Sequence, residues 1–126
     1  MNLSNLLSKI DTKEKMHVLT FAKADLTAKT TDAFKDLIFP YLKKEIRNLV
    51  LDFSAIQSVD ETFSQTMITT QETFYKEKAS LVYCCLADGI LDFFDQHDLL
   101  DRLNYTPTES EAWDIVQMDE IERELF

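Results

Sequence analysis

The stretch RNLVLDFSAIQSVDETFSQTMI, residues 47–68, changes periodicity half-way along. Leu49, Val50, Leu51 and Phe53 make an unbroken apolar run, which predicts a strand over 48–54 buried on both faces, in the middle of a sheet. From Asp60 the spacing turns helical. Phe63, Met67, Thr70 and Phe74 share one face of a helix predicted over about 61–77. At the mouth of this strand-to-helix turn stand two carboxylates and a hydroxyl: Asp60, Glu61 and Thr62. Asp60 suits the N-cap, where its side chain accepts from a free backbone N–H. Glu61 in the first turn gains roughly 0.3–1 kcal/mol from the helix dipole. The same helix end would stabilise a phosphate on a nearby hydroxyl. The turn is therefore either a helix cap or a docking and switching surface.

The flanking sequence completes an α/β pattern. Residues 5–11 are weakly strand-like, and 16–22 alternate Met16, Val18, Thr20 and Ala22 against His17, Leu19 and Phe21. Residues 24–30, ADLTAKT, read as a loop. Phe34, Leu37, Ile38, Tyr41 and Leu42 predict an amphipathic helix of about four turns ending near Arg47 and kinked at Pro40. A second buried strand is predicted over 80–86, and a short helix over 88–98 anchored by Ile90, Phe93 and Phe94. RLNYT, 102–106, suits an edge strand. Thr108 and Glu111 form a capping box that opens a last helix, with Ala112, Ile115, Val116 and Trp113 turned inward. The order implies one domain over 1–126, with a mixed central sheet of four to five strands packed against about four helices.

Composition narrows the function classes. At 126 residues with 45% hydrophobic content, the chain can bury a core. One glycine and two prolines argue against a glycine-rich phosphate loop and a turn-dense sandwich. A net charge of −10 repels nucleic acid and anionic membranes, and neither is an expected partner. Residues 1–15 lack the pattern of a signal peptide, and no apolar run is long enough to span a membrane. Cys84 and Cys85 are adjacent, should point to opposite faces of a strand, and are poorly placed to bridge. Two free thiols suit a reducing compartment, so a cytoplasmic location is expected.

The remaining chemistry-bearing residues assemble no enzyme from spacing. His17 and His97 lack metal-ligand spacing and read as structural or surface histidines. Ser54, Ser58 and Ser64 have no nucleophile-elbow context. Asp52 ends its strand as a receiver-domain aspartate would, but only Asp25 follows the preceding strand and no late strand ends in lysine. Phe93, Phe94 and Trp113 read as core or subunit contacts. The acidic tail MDEIEREL, 118–125, reads as a solvated helical face. No cofactor or metal is expected.

From about residue 14 to 120 the chain resembles the STAS domain family, the bacterial anti-sigma-factor antagonists. The firmest segment is the opening stretch, similar to the family's strand, short loop and regulatory helix carrying hydrophobic-Asp-Ser-Ser-Gly. ADLTAKTTDAFKDLI resembles the family's acidic-Leu-Asp segment and first helix. LADGILDFFDQHDLLDRLNYTPTESEAW resembles its late helix, turn, edge strand and last helix. The resemblance implies a STAS-like fold and places Asp60 on the motif aspartate. Glu61 falls on the serine that a partner kinase phosphorylates, and Thr62 on the second serine. Phe63 replaces the glycine, adding bulk to the turn, and Thr27 falls on a loop aspartate near the phosphorylation site.

The expected function is a non-enzymatic regulatory interaction module. It would bind an anti-sigma factor or kinase-like regulatory protein through the 24–28 and 54–60 loops and the start of the 60–77 helix. The candidate partner-binding residues are Asp25, Thr27, Asp60, Glu61, Thr62 and Ser64. The usual serine switch is absent, with Glu61 as a constitutive charge and Thr62 as the fallback hydroxyl. A homodimer is the further candidate assembly. The alternatives are a small-molecule-sensing STAS domain and a small hydrolase built on Asp52, Asp60 and Glu61.

Overall fold

The computed structural model describes residues 5–125. Along the chain run β1 (Leu7–Thr12), β2 (Met16–Phe21), β3 (Ala24–Leu26), α1 (Thr31–Ile38), β4 (Asn48–Asp52), β5 (Ile56–Val59), α2 (Glu61–Lys76), β6 (Leu81–Cys84), α3 (Asp88–Gln96), β7 (Tyr105–Thr106) and α4 (Glu109–Leu125). Five strands form one sheet in the order β1-β2-β4-β6-β7. β1 pairs antiparallel with β2, and the remaining pairs are parallel, so the sheet is mixed. β4 lies in the middle, as its apolar run requires.

Each central strand serves two cores. Leu49, Leu51 and Phe53 join Leu19, Phe21, Leu81 and Tyr83 in a large aromatic-rich core with α1, α2 and α3. Within it the Phe34 ring meets the Phe63 ring edge-on at 5.0 Å, and Phe21 meets Phe53 at 4.8 Å. Met16, Val18, Val50, Val82 and Cys84 face the other way and pack on Ala112 and Val116 of α4. Phe63, Met67, Thr70 and Phe74 are all buried, which confirms the predicted face of α2. In α3 the anchors Ile90 and Phe94 are buried and Phe93 half-buried.

Several expectations need correction. The four-turn helix across Pro40 ends as an α-helix at Ile38, and Phe39–Lys43 tighten into a 3-10 helix. Proline lacks the N–H that an α-helix would use, and its ring clashes with the preceding turn. The tighter helix still buries Tyr41, so the apolar stripe survives the change of helix type. ADLTAKT is not simply a loop: Ala24–Leu26 form β3, which pairs in parallel with β5 in a separate two-stranded sheet. Two strands of three and four residues carry too little periodicity to be read from sequence.

The acidic tail is only partly a solvated face. Met118, Ile121 and Leu125 are exposed, but Asp119, Glu120 and Arg123 are half-buried against the sheet. Asn48 Nδ2 donates to Glu120 Oε1 at 2.7 Å, Ser80 Oγ to Asp119 Oδ2 at 2.6 Å, and Arg123 Nη2 to Ser80 Oγ at 2.8 Å. The capping box at the start of α4 forms in part. The Thr108 hydroxyl accepts from the Glu111 N–H at 3.3 Å and donates to its carboxylate at 3.1 Å. Both histidines are satisfied: His17 bonds the Ile46 carbonyl and Thr12, and His97 bonds the Phe93 carbonyl.

Glycine scarcity shows at the helix ends. α2 and α3 both close with the Ala79 N–H on Phe74 O and the Leu99 N–H on Phe94 O, each at 2.9 Å. That closure needs a left-handed residue, and here it falls on Lys78 (φ 61°) and Asp98 (φ 56°). A side chain in this region costs about 1 kcal/mol that glycine avoids. Lys78→Gly should therefore raise stability by about 1 kcal/mol in urea denaturation, since Lys78 contributes only its backbone carbonyl to the Arg47 contact.

Tyr83 is wholly buried and donates to the Met67 carbonyl at 2.8 Å. Burial pushes its phenol well above the ordinary value of 10.0. The folded chain thus keeps a proton that the unfolded chain releases above about pH 10. The stabilisation is intact below that pH and is lost as pH rises beyond it. Stability measured from pH 9 to 11 should fall with a contribution of up to about 1.4 kcal/mol per pH unit from this group. Tyr83→Phe should flatten the curve by that amount; an unchanged slope would contradict the assignment.

Candidate regulatory surface at the start of α2

Asp60 holds the candidate site together. It is the N-cap of α2 in extended conformation, and its Oδ1 accepts from the Phe63 N–H at 2.8 Å. Its Oδ2 accepts from the Ala28 N–H, also at 2.8 Å, on a segment 32 residues earlier. The Asp60 N–H donates to the Leu26 carbonyl at 3.1 Å. One residue thus ends β5, starts α2 and pins the chain after β3 against both. Charge assistance makes each carboxylate bond stronger than a neutral one.

The neighbouring segment is organised by hydroxyls. Thr27 caps the 3-10 turn Ala28–Thr30: its Oγ1 accepts from the Lys29 N–H at 3.2 Å, and the Thr30 hydroxyl donates to its carbonyl at 2.8 Å. Asp25 Oδ1 accepts from the Ser58 hydroxyl at 2.7 Å across the β3–β5 pair. These bonds join the 24–28 and 54–60 segments into one surface, although the sequence separates them by about thirty positions. The β3–β5 pairing behind that union was not legible in the sequence.

The six candidate residues fall into three roles. Glu61 and Thr62 are exposed on the first turn of α2, and Asp25 is exposed beside them on β3. Asp60 and Thr27 are half-buried and spend their side chains on backbone N–H groups. Ser64 is different: it is fully buried, and its hydroxyl donates to the Asp60 carbonyl at 2.7 Å. It braces the turn from inside and is not on the surface. Phe63 also departs from expectation. Its ring is wholly buried on Phe34, so it adds core beneath the turn and no bulk above it. The exposed rim left by this arrangement is Ser58, Glu61, Thr62 and Asp25.

Two of the three carboxylates in the hydrolase reading accept from backbone N–H groups. Asp60 is taken by two backbone donors, and Asp52 Oδ1 accepts from the Ser54 N–H at 2.9 Å.

A family model described as the STAS domain matches residues 9–112. Among curated proteins no relative is found by sequence. Solved structures share the fold at low identity. An anti-sigma factor antagonist described as putative, from Thermotoga maritima, is 16% identical with a TM-score of 0.75, covering 86% of this chain and 93% of its own. A variant of RsbS from Moorella thermoacetica in which glutamate replaces a serine is 16% identical, with a TM-score of 0.70 over 91% of this chain and 97% of its own. The anti-sigma factor antagonist SpoIIAA in its unphosphorylated form is 11% identical, with a TM-score of 0.65 over 86% of this chain and 95% of its own. No helix among the described residues is long and apolar enough to cross a membrane.

The geometry assigns unequal weights to the two carboxylates. Asp60→Ala removes the N-cap bond and the bond to Ala28, and should lower stability by about 2 kcal/mol. Glu61→Ala removes only an exposed dipole interaction and should cost about 0.5 kcal/mol or less. Chemical denaturation of both variants checks the order; equal losses would contradict the clamp.

Proposed function

Because the chain belongs to the STAS domain family, we propose that it is a regulatory protein-interaction module of the anti-sigma-factor-antagonist kind. It docks an anti-sigma factor or kinase-like regulator on the surface formed by the start of α2 and the segment 24–28. The observation that carries this reading is the Asp60 clamp. It holds Glu61 and Thr62 exposed at a helix N-terminus and fastens Asp25 and Thr27 alongside. Such a surface is acidic, preorganised and free of side chains that must fold away before a partner binds. Preorganisation lowers the entropy lost on docking. The acidic rim favours a basic patch on the partner and speeds encounter.

The serine of the family's switch is Glu61 here. A serine kinase cannot phosphorylate glutamate, which brings one negative charge where a phosphoserine would bring roughly −1.5 to −2. We read Glu61 as a constitutive partial mimic of the modified state. The likeness to a RsbS variant carrying a glutamate in place of serine is compatible with that reading. The wild-type surface then has one setting, and regulation passes to the abundance of the chain or to the hydroxyl of Thr62.

Glu61→Ser separates this function from simple capping. If Glu61 is a docking charge, affinity for the cognate regulator should change by about tenfold or more, by titration calorimetry, with the melting temperature nearly unchanged. With a kinase partner and ATP, the variant should take up phosphate at position 61, where the wild-type chain takes none. Unchanged affinity with a slightly lower melting temperature would leave Glu61 as a helix-start charge and nothing more. Phosphate on Ser58 or Ser54 of the wild type would show that the switch position lies elsewhere.

A further inference from the structure

A second constellation lies on the α4 side of the sheet, at the carboxyl ends of β4 and β6. Asp52 and Cys84 are register partners on these parallel neighbours, so their side chains leave the sheet on the same face. Cys85 should leave on the opposite face, as the next residue of a strand does. It does not. Cys85 takes a left-handed backbone, φ 63°, immediately after β6 ends. Its sulfur comes back beside its neighbour, and the Asp52 carboxylate and the two sulfurs all lie within 4.8 Å of one another.

The left-handed backbone at Cys85 turns its sulfur towards Cys84 and the Glu109 backbone at the start of α4. The other two positive-φ residues close helices, where that conformation is the ordinary way to stop. Cys85 closes no helix; it follows a strand with a branch-free but real side chain in a region that favours glycine. Strain of this kind persists where it places a group for use.

We propose that Asp52, Cys84 and Cys85 form a site for one zinc-class divalent cation, held by two thiolates, one carboxylate oxygen and a water. Two sulfurs with one carboxylate match the borderline-soft preference of Zn²⁺ better than that of Mg²⁺ or Ca²⁺, which take oxygen alone. Tetrahedral coordination at about 2.3 Å from each sulfur puts the sulfurs about 3.8 Å apart. The observed upper limit of 4.8 Å on these separations lies about 1 Å above that value. On binding, two S–H bonds break, two S–Zn bonds form and two protons leave to water. Cys84 is wholly buried while Asp52 and Cys85 are half-buried, so the cation enters from the Asp52–Cys85 side. The bound ion would tie the end of β4 to the end of β6, one residue before the loop that leads to β5.

Co²⁺ titration of the reduced, tag-free protein tests the site directly. One equivalent should produce a sulfur-to-cobalt charge-transfer band. One equivalent of Zn²⁺ should bleach the band and raise the melting temperature. Cys85→Gly removes a ligand and relieves the backbone at once. It should weaken cation binding at least about tenfold while the metal-free variant melts at the same temperature as wild type or higher. Asp52→Asn, at a half-buried position, should weaken binding similarly. Absence of the band at one equivalent, or wild-type affinity in Cys85→Gly, overturns the proposal; the latter would mean surface carboxylates hold the ion.

Discussion

Val50 and Leu51 are neighbours in β4 and face opposite layers, so one five-residue strand must close two cores at once. This double burial sets most of what surrounds it. It requires cover on both faces, and its neighbours β2 and β6 both run parallel to it. Parallel neighbours require crossover connections, and these are α1 with its 3-10 extension and α2. The functional turn inherits its position from the same constraint. Because β4 is central, the chain leaving it emerges between layers, makes the short β5, and starts α2 at the rim.

Under the proposed function, the clamp at Asp60 lets a helix cap and a docking surface coexist. A cap needs its carboxylate turned inward onto backbone N–H groups; a docking site needs charge turned outward. The chain divides the tasks between adjacent residues, Asp60 taking the first and leaving Glu61 free for the second. Ser64 and Phe63 then support the turn from below, one by a hydrogen bond to the Asp60 carbonyl and the other by core packing. Residues that a motif comparison places in one functional word thus sit at three depths.

Legibility in the sequence followed the length and regularity of each element. β4 and β6 were plain because each is an unbroken apolar run, and α2 because its apolar face repeats over several turns. The proline-containing helix was half-read: the apolar stripe was correct, but burial of Tyr41 is satisfied by a 3-10 helix as well as by an α-helix. β3 and β5 escaped because pairing between short segments leaves no periodic trace, and with them went the union of segments 24–28 and 54–60. The Cys85 backbone escaped for another reason. Alternation predicts where a strand residue points only while the strand continues, and β6 stops at Cys84. The polar role of Asp119, Glu120 and Arg123 was hidden by their charge, which reads as solvent-facing wherever it occurs.

α4 is attached in two different ways along its length. Near its start, Ala112 and Val116 press on Val50, Val82 and Cys84 in a small apolar layer. Farther on, the grip is a polar lattice of Asn48, Ser80, Asp119, Glu120 and Arg123, joined through Asp119 to the Tyr75 hydroxyl of α2. The large aromatic core on the other face owes nothing to this helix. α4 is therefore anchored firmly at its start and less firmly along its distal half. Its distal turns can open by exchanging side-chain hydrogen bonds for water, at little hydrophobic cost, while the opposite core stays shut. Amide protons in the last two turns of α4 would then exchange by local opening, and those of β4 only through global unfolding, so the two faces of one sheet report two different stabilities.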